Sequence, residues 1–217
     1  GDHGRPPMSA ENRLREDMAR LAKSLFDRGY TAGSSGNISA AVEDGILMTP
    51  TNSCLGFLDP ARISKLDRTG TLIGGDKPSK EVFLHQAFYD TRPGTGAVVH
   101  LHSTYATAVS CLADIDPEDC IPPLTPYVVM RVGTVKLLPY VRPGDPAMGT
   151  MIRALNGAHA GVLLANHGPV VAAKDLESAV FASEELEETA RLFVILREQF
   201  TRRLTPAQVA ELKRVFG

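Results

Sequence analysis

The sequence predicts an α/β domain whose central sheet is mixed or antiparallel. Segments with apolar residues at helical spacing alternate with short apolar runs typical of strands, and turn-rich stretches separate them. The 217 residues are 43% hydrophobic, which suffices for one substantial core. We therefore expect a single domain over residues 8–217, with residues 1–7 forming a disordered arm or an expression remnant.

The N-terminal helix is predicted over Ala10–Arg28. Ser9 suits the N-cap position, apolar side chains recur every three or four residues, and Gly29 ends the pattern. Short strands are predicted after it, because apolar and β-branched runs lie there between turn residues. These strands are Asn37–Ala41, Ile46–Thr49 and a hairpin through Ile63–Ile73.

The second half of the chain continues this alternation. Helices are predicted over Lys80–Thr91, Thr104–Leu112 and Pro146–Leu155. Strands are predicted over Ala97–Leu101, Tyr127–Val132, Val135–Pro139, Gly161–Ala165 and Val170–Ala173. The last element is predicted as one helix, Leu176–Arg203, because its acids come early and its arginines late. Its run of acids is expected on a solvated face and comprises Glu184, Glu185, Glu187 and Glu188.

Charge, hydropathy and cysteine content exclude several classes of protein. The net charge is −2 and the basic residues are scattered among acids, so no nucleic-acid partner is expected. No apolar run approaches the roughly 18 residues of a membrane span and no signal segment is recognisable, so we expect a cytoplasmic protein that contacts no membrane. Cys54, Cys111 and Cys120 lack paired spacing, which indicates reduced packing residues.

Three histidines are the candidate metal ligands. Taken singly, a histidine beside an apolar strand is more often a hydrogen-bonded core residue. On a strand, however, residues i and i+2 point to the same face, so His100 and His102 can present two imidazoles to one cation. His167 follows a second apolar strand and can complete a triad with an open coordination position. Three imidazoles suit Zn²⁺, while Mn²⁺, Fe²⁺ and Co²⁺ stay open.

Three short loops carry hydroxyls and backbone N–H groups that suit a phosphate: Ser34–Asn37, Thr49–Ser53 and Lys77–Lys80. Each loop alone is more often an ordinary turn. Ser79 and Lys80 are expected at the start of a helix, where N–H groups, the helix dipole and the lysine charge favour an anion. The set therefore predicts a phosphate-binding side of the site.

Glu81 directly follows these residues and has two interpretations. An acid in the first turn of a helix is favoured by the helix dipole alone. Beside a metal-bound substrate, Glu81 can instead move protons next to a carbonyl or act as an extra metal ligand. His85 lies four residues further on and forms a competing ligand pair with Glu81. The apolar neighbours of His85 in an amphipathic helix make that pair the weaker hypothesis.

Five short blocks occur in order along the chain: Gly36–Ser39, Thr49–Thr51, Pro78–Glu81, Val98–His102 and Asn166–Gly168. Together they resemble the class II aldolase and adducin family, from the first helix to the long C-terminal helix. The resemblance implies a three-layer α/β/α fold with a central, mostly antiparallel sheet. It also implies a homotetramer with its sites between subunits.

The resemblance further assigns roles to individual residues. It implies a Zn²⁺ ion held by His100, His102 and His167. Glu81 matches the catalytic carboxylate of the family, which can also approach the metal. The matching phosphate-binding positions are Asn37, Thr51, Asn52 and Ser79.

The segment Pro122–Gly133 bears on the branch of the family. With Ser79–Glu81 and Ala165–Val171, it is more similar to decarboxylases that act on 3-oxo-tetronate 4-phosphates than to fuculose-phosphate aldolases. Asn52 and Lys80 replace the glycine and serine of those aldolases. The resemblance therefore implies that a small phosphorylated sugar acid loses CO₂ and gives dihydroxyacetone phosphate through an enediolate.

Two residues of this segment have expected roles. Tyr127 is a candidate, with Glu81, for managing protonation of the enediolate, although tyrosines near sheets are more often packing residues. Arg131 is a candidate for binding the leaving carboxylate, although such arginines more often pair with a local acid. Other members of the family are sugar-phosphate aldolases, ribulose-phosphate 4-epimerases or adducin-like binding modules. The intact histidine triad argues against a binding module.

Overall fold

The computed structural model describes residue 4 and residues 8–217. The expectation for residues 1–7 therefore lies outside the described residues, residue 4 apart. Most predicted elements are present within a few residues of their expected bounds. The helices are α1 (Ala10–Asp27), α2 (Val82–Thr91), α3 (Thr104–Ser110), α4 (Pro126–Arg131), α5 (Ala147–Ala154), α6 (Leu176–Ile195) and α7 (Pro206–Phe216). The strands are β1 (Asn37–Val42), β2 (Gly45–Met48), β3 (Ser64–Asp67), β4 (Leu72–Gly74), β5 (Ala97–His100), β6 (Lys136–Leu138), β7 (Gly161–Leu164) and β8 (Gly168–Ala173).

The described strands form one eight-stranded sheet in the order β4-β3-β2-β1-β5-β8-β7-β6. Strand β6 runs parallel to β7, and the other neighbouring pairs are antiparallel, which confirms the mostly antiparallel sheet. In the middle of the sheet, His100 at the end of β5 lies opposite Asn37 of β1 and Val170 of β8. The start of β1, the end of β5 and the start of β8 therefore lie side by side. Each has a predicted site residue at or next to it: Asn37, His100 and His167.

Helices cover both faces of the sheet and confirm the three-layer α/β/α arrangement. Successive side chains of a strand point to opposite faces. Accordingly, Val99 of β5 packs in the core with α1 and the start of α6, whereas Val98 packs in the core with α2 and α5. A third cluster, on the α1 side around Val171, contains residues of α3, α4 and α6.

The segment Tyr127–Val132 was expected to be a strand, and this prediction is wrong because the segment lies in helix α4 and its end. Pro126 occupies the first turn after an extended Thr125, a position where proline initiates helices. Val128, Val129 and Val132 are buried together against α3 and α6. A short apolar run of this length cannot be distinguished from a strand by periodicity alone.

The C-terminal helix was predicted to reach Arg203, but α6 ends at Ile195. A further helix, α7, follows and was not predicted. The signal for α7 is present in the sequence, because Thr205 and Gln208 form a capping box and Pro206 lies in the first turn. Charged residues continue beyond Ile195, so the charge pattern does not indicate that α6 ends there.

No helix in the described part of the chain is long and apolar enough to cross a membrane. The three cysteines are free, as predicted. Cys120 is buried and Cys54 is half-buried, but Cys111 is exposed. The expectation of a packing role is therefore wrong for Cys111.

Candidate active site

The end of strand β5 positions His100. The side chain is completely buried, and its Nδ1 donates a hydrogen bond to the carbonyl oxygen of Pro169 at 2.8 Å. Because a carbonyl can only accept, the proton of the neutral imidazole lies on Nδ1 and the lone pair on Nε2. The Nε2 atom of His100 is therefore oriented as a ligand.

A tight hairpin between β7 and β8 brings His167 to the same place. Its loop turns at Asn166, which has a left-handed φ of 58°. The following Gly168 has a φ of +155°, and a Cβ atom there would lie 2.5 Å from the carbonyl oxygen of Leu101. Glycine thus lets the hairpin pack against the residue between His100 and His102.

The structure brings the three predicted histidines together. One ring nitrogen from each of His100, His102 and His167 lies within 4.8 Å of the others, and Nε2 of His100 lies 3.2 Å from Nε2 of His167. This cluster is the one group of its kind among the described residues. The predicted ligand set therefore has the geometry of a metal site.

Burial keeps these imidazoles neutral. Burial, with repulsion from His102, lowers the pKa of His100 to about 3, and burial, with repulsion from His100, lowers the pKa of His167 to about 4. Burial also lowers the pKa of His102. Neutral imidazoles are the form that binds metal ions, so the site is already deprotonated near pH 7.

Two buried polar atoms at the cluster have no hydrogen-bond partner among the described residues: Nε2 of His102 and Oε2 of Glu81. Orphaned buried atoms of this kind are costly unless a further group satisfies them. An imidazole lone pair and a carboxylate oxygen are both ligands for a cation such as Zn²⁺. The donor set therefore fits a divalent metal ion.

Glu81 lies directly beside the triad. Its Oε1 is 3.7 Å from Nε2 of His100 and its Oε2 is 3.7 Å from Nε2 of His167. Helix α2 begins at Val82 rather than at the predicted Lys80, so Glu81 occupies the N-cap position. The hydroxyl of Ser79 accepts a hydrogen bond from the Glu81 backbone N–H at 3.2 Å. This turn holds the Glu81 carboxylate beside the three imidazoles.

The competing Glu81–His85 ligand pair is not formed. Both ring nitrogens of His85 have partners within the protein: Nδ1 lies 2.7 Å from the hydroxyl of Ser39, and Nε2 contacts Oδ1 of Asn37. His85 is completely buried and has no free lone pair for a metal.

The structure places two of the predicted phosphate loops side by side, next to Glu81. The backbone N–H of Thr51 donates to the carbonyl of Lys77 at 2.9 Å, and that of Ser79 donates to the carbonyl of Thr49 at 3.1 Å. Asn52 has a left-handed φ of 56°, and both Asn52 and Lys80 are exposed at this surface.

Asn37 has a different environment from the predicted phosphate loops. Its Nδ2 donates to Oε1 of Glu81 at 3.2 Å, and its Oδ1 contacts His85. The side chain is buried, and both ends of its amide are hydrogen-bonded inside the protein. The phosphate role predicted for Asn37 is therefore not visible in its side-chain contacts.

Tyr127 and Arg131 are not joined to the triad by any hydrogen bond or ion pair among the residues described. Tyr127 is 55% exposed on α4. The guanidinium of Arg131 lies 5.7 Å from the ring centroid of Phe181 and lines a cavity of about 860 Å³ that also contains Lys174. His167 precedes β8 and Lys174 follows it, so this cavity lies at the opposite end of that strand from the triad.

Sequence reasoning missed one acid close to the site. Glu187 was expected on a solvated face, but it is 92% buried, with 8% exposure, and that prediction is wrong. Its carboxylate accepts hydrogen bonds from the backbone N–H groups of Tyr105 at 3.1 Å and Ala106 at 2.7 Å. Burial raises the pKa of Glu187 despite these bonds. It fixes the start of α3, two residues after His102, by a contact that no local sequence signal indicates.

The fold and the cluster define a class of protein: a three-layer α/β/α protein with an open three-histidine site, a neighbouring carboxylate and adjacent polar loops. Residues 16–194 match the family described as the class II aldolase and adducin N-terminal domain. The chain belongs to this family.

Individual relatives refine this assignment. A protein of Pectobacterium atrosepticum named 3-oxo-tetronate 4-phosphate decarboxylase is 52% identical over 206 residues, which cover 94% of each chain. An L-fuculose phosphate aldolase of Methanococcus maripaludis is 33% identical over 180 residues, covering 83% of this chain and 95% of the relative. The crystal structure of an Escherichia coli protein described as a putative aldolase/epimerase/decarboxylase superposes with a TM-score of 0.92 at 50% identity, covering 94% of this chain and all of the other.

Replacing His102 with alanine tests the metal site. The H102A protein should bind Zn²⁺ more than about 100-fold more weakly, because losing a ligand costs more than losing the partner of a ligand. Metal analysis after dialysis measures the loss, and circular dichroism checks that the fold is kept. His159→Ala is the matched control, because His159 is half-buried and hydrogen-bonds the Thr134 carbonyl outside the cluster. Full metal content in H102A would refute the site.

Proposed function

We propose that the protein is a carbon–carbon lyase that decarboxylates a 3-oxo-tetronate 4-phosphate to dihydroxyacetone phosphate and CO₂. The observation that carries the proposal is the 52% identity, over 94% of the chain, to a relative with that name. The aldolase relative is more distant, at 33% identity. The histidine cluster beside a carboxylate and polar loops supplies the groups that this reaction needs.

His100, His102 and His167 are the proposed metal ligands. Three neutral imidazoles favour Zn²⁺, with Mn²⁺, Fe²⁺ and Co²⁺ as alternatives. The metal, when bound, would stabilise the negative charge that develops on the C3 oxygen of the substrate as CO₂ departs. Glu81 stands 3.7 Å from two of these imidazoles and is the proposed fourth ligand in the resting site.

The polar loops are the proposed phosphate site. The side chains of Thr51, Asn52 and Ser79 offer hydrogen-bond donors, and the ammonium group of Lys80 adds a full positive charge. Because these loops adjoin Glu81, a phosphate bound there places the carbon skeleton of the substrate near the triad. Holding the substrate at its unreactive end orients the carboxylate that departs.

The reaction requires a group that delivers a proton to carbon, and Glu81 and Tyr127 are the proposed donors. The C1–C2 bond breaks, its electron pair forms the C2–C3 double bond of an enediolate, and CO₂ leaves. A proton must then be delivered to C2 to give dihydroxyacetone phosphate. Oε2 of Glu81 is buried beside the triad and has no other partner among the described residues, so this oxygen can carry the proton.

We also propose a homotetramer in which subunits complete each other's sites. Tyr127 and Arg131 are exposed on α4, apart from the triad of their own chain. An exposed tyrosine and arginine suit a contact in which Tyr127 reaches the C2 atom and Arg131 the leaving carboxylate in a neighbouring subunit. We place this one-domain protein (residues 8–217) in the cytoplasm, because phosphorylated sugar acids are charged intracellular compounds and its cysteines are free.

The reaction products test the proposed function. The zinc-loaded protein should release CO₂ and dihydroxyacetone phosphate in equal amounts from a stereochemical panel of 3-oxo-tetronate 4-phosphates, while H102A should release neither. Ketose 1-phosphates are assayed in parallel for aldehyde release. Aldehyde without CO₂ would make the protein an aldolase, and conversion of ribulose 5-phosphate without either product would make it an epimerase.

Subunit complementation tests the role of Tyr127. Tyr127→Phe should lower kcat by about 100-fold or more, the lower end for general acid–base groups, without loss of metal. Mixed tetramers refolded from H102A and Tyr127→Phe chains should regain activity, because one partner supplies the triad and the other supplies the tyrosine. Mixtures that stay as inactive as the separate variants would contradict a shared site.

A further inference from the structure

Two rows of polar residues interlock between helix α2 and strand β1. Glu81 at the N-cap of α2, and His85 and Tyr89 within the helix, are spaced four residues apart on one side of it. Asn37 and Ser39 are spaced two residues apart on β1 and face α2, whereas the intervening Ile38 packs in the core on the α1 side. The polar groups are thus confined to one buried seam.

The seam contains a continuous series of hydrogen bonds, here called the relay: Tyr89, Ser39, His85, Asn37 and Glu81. The Tyr89 hydroxyl lies 2.9 Å from the Ser39 hydroxyl, which lies 2.7 Å from Nδ1 of His85. Nε2 of His85 contacts Oδ1 of Asn37, and Nδ2 of Asn37 lies 3.2 Å from Oε1 of Glu81. Ser39 and His85 are completely buried, and Asn37 is 4% exposed.

The carboxylate fixes the direction of every bond in the relay. Because an ionised carboxylate only accepts, Asn37 must turn its NH₂ group to Glu81 and its Oδ1 to His85. The proton of His85 must then lie on Nε2, which leaves Nδ1 as an acceptor. Ser39 therefore donates to Nδ1, and Tyr89 donates to Ser39. In each of the four bonds the donor's hydrogen points toward the Glu81 end of the relay. Hydrogen bonds aligned in this way polarise one another.

We infer that the relay is a positioning device that holds Oε1 of Glu81 through the Asn37 amide. Both carboxylate oxygens lie 3.7 Å from an imidazole of the triad, but Oε2 has no partner among the described residues and is therefore the oxygen left free for the metal site and substrate. Asn37, His85 and Ser39 are positioning residues, since they act through Glu81 rather than on the substrate. Without the relay, the carboxylate can rotate, so that neither oxygen is held in a fixed position beside the triad. The kinetic consequence rests on the proposed function, whereas the tautomer of His85 does not.

A neutral His85 agrees with this arrangement. Burial, with repulsion from His100, lowers the pKa of His85 to about 3. A neutral ring carries one N–H, so its tautomer reports the direction of the whole relay.

The tautomer is measured directly by ¹⁵N NMR of histidine-labelled protein, with His85 assigned by comparison with the His85→Gln variant. At pH 7 the relay requires Nε2 protonated and Nδ1 unprotonated, in metal-free and zinc-loaded protein alike. A proton on Nδ1, or on both nitrogens, would overturn the inference whether or not the protein is a decarboxylase.

Kinetics separate positioning from simple packing. His85→Leu removes the donor to Asn37, whereas His85→Gln keeps an N–H donor and an acceptor in one side chain. His85→Leu should lower kcat by about tenfold or more, with KM and metal content near their normal values, and His85→Gln should recover most of the loss. Equal kcat in the two variants, or better activity in the leucine variant, would show that His85 only fills space.

Ser39→Ala extends the test to a residue that does not contact Glu81, and it serves if His85→Leu does not fold. It should lower kcat with little change in KM. Its matched control is Ser183→Ala, which removes another buried hydroxyl, donating to the Ala179 carbonyl at 2.7 Å on α6. Equal kcat in the two serine variants would overturn the relay. If the protein turns over a different sugar phosphate, the same comparison is made on that reaction.

Discussion

The antiparallel pairing of β5 with β8 is the constraint on which the site depends. It sets His100 opposite Val170, and it lets the Pro169 carbonyl accept both the backbone N–H of Leu101 and the ring N–H of His100. The same pairing carries the β7–β8 hairpin, and with it His167, to the end of β5. One backbone register thus determines both the distance between two imidazoles and the tautomer of one of them.

Desolvation then determines the chemistry of the cluster. Imidazoles this deeply buried cannot hold a proton near neutral pH, so the protein presents lone pairs rather than positive charges. Lone pairs packed this closely, beside a carboxylate oxygen that has no partner among the described residues, are stabilised by a cation. The relay through Asn37 and His85 satisfies the other carboxylate oxygen, so the polar groups of the site form one connected set.

Much of the site was predictable from the sequence because its signals are local. The His100-x-His102 spacing, the hairpin around His167 and Glu81 at a helix start each follow from short-range rules, and the structure brings all four residues together. The contacts of Asn37 and the burial of Glu187 depend on which elements pack together, which no local pattern contains. The helical state of Tyr127–Val132 was missed for the same reason, since burial on α3 and α6 outweighs the strand preference of its valines.

Anomalous diffraction at the zinc edge, from crystals of the zinc-loaded protein, would locate the metal directly. We expect one strong peak per chain, about 2.0–2.1 Å from one ring nitrogen of each of His100, His102 and His167, with Oε2 of Glu81 as the nearer carboxylate oxygen. A peak on His85, or no ordered zinc at the end of β5, would contradict the proposed metal site.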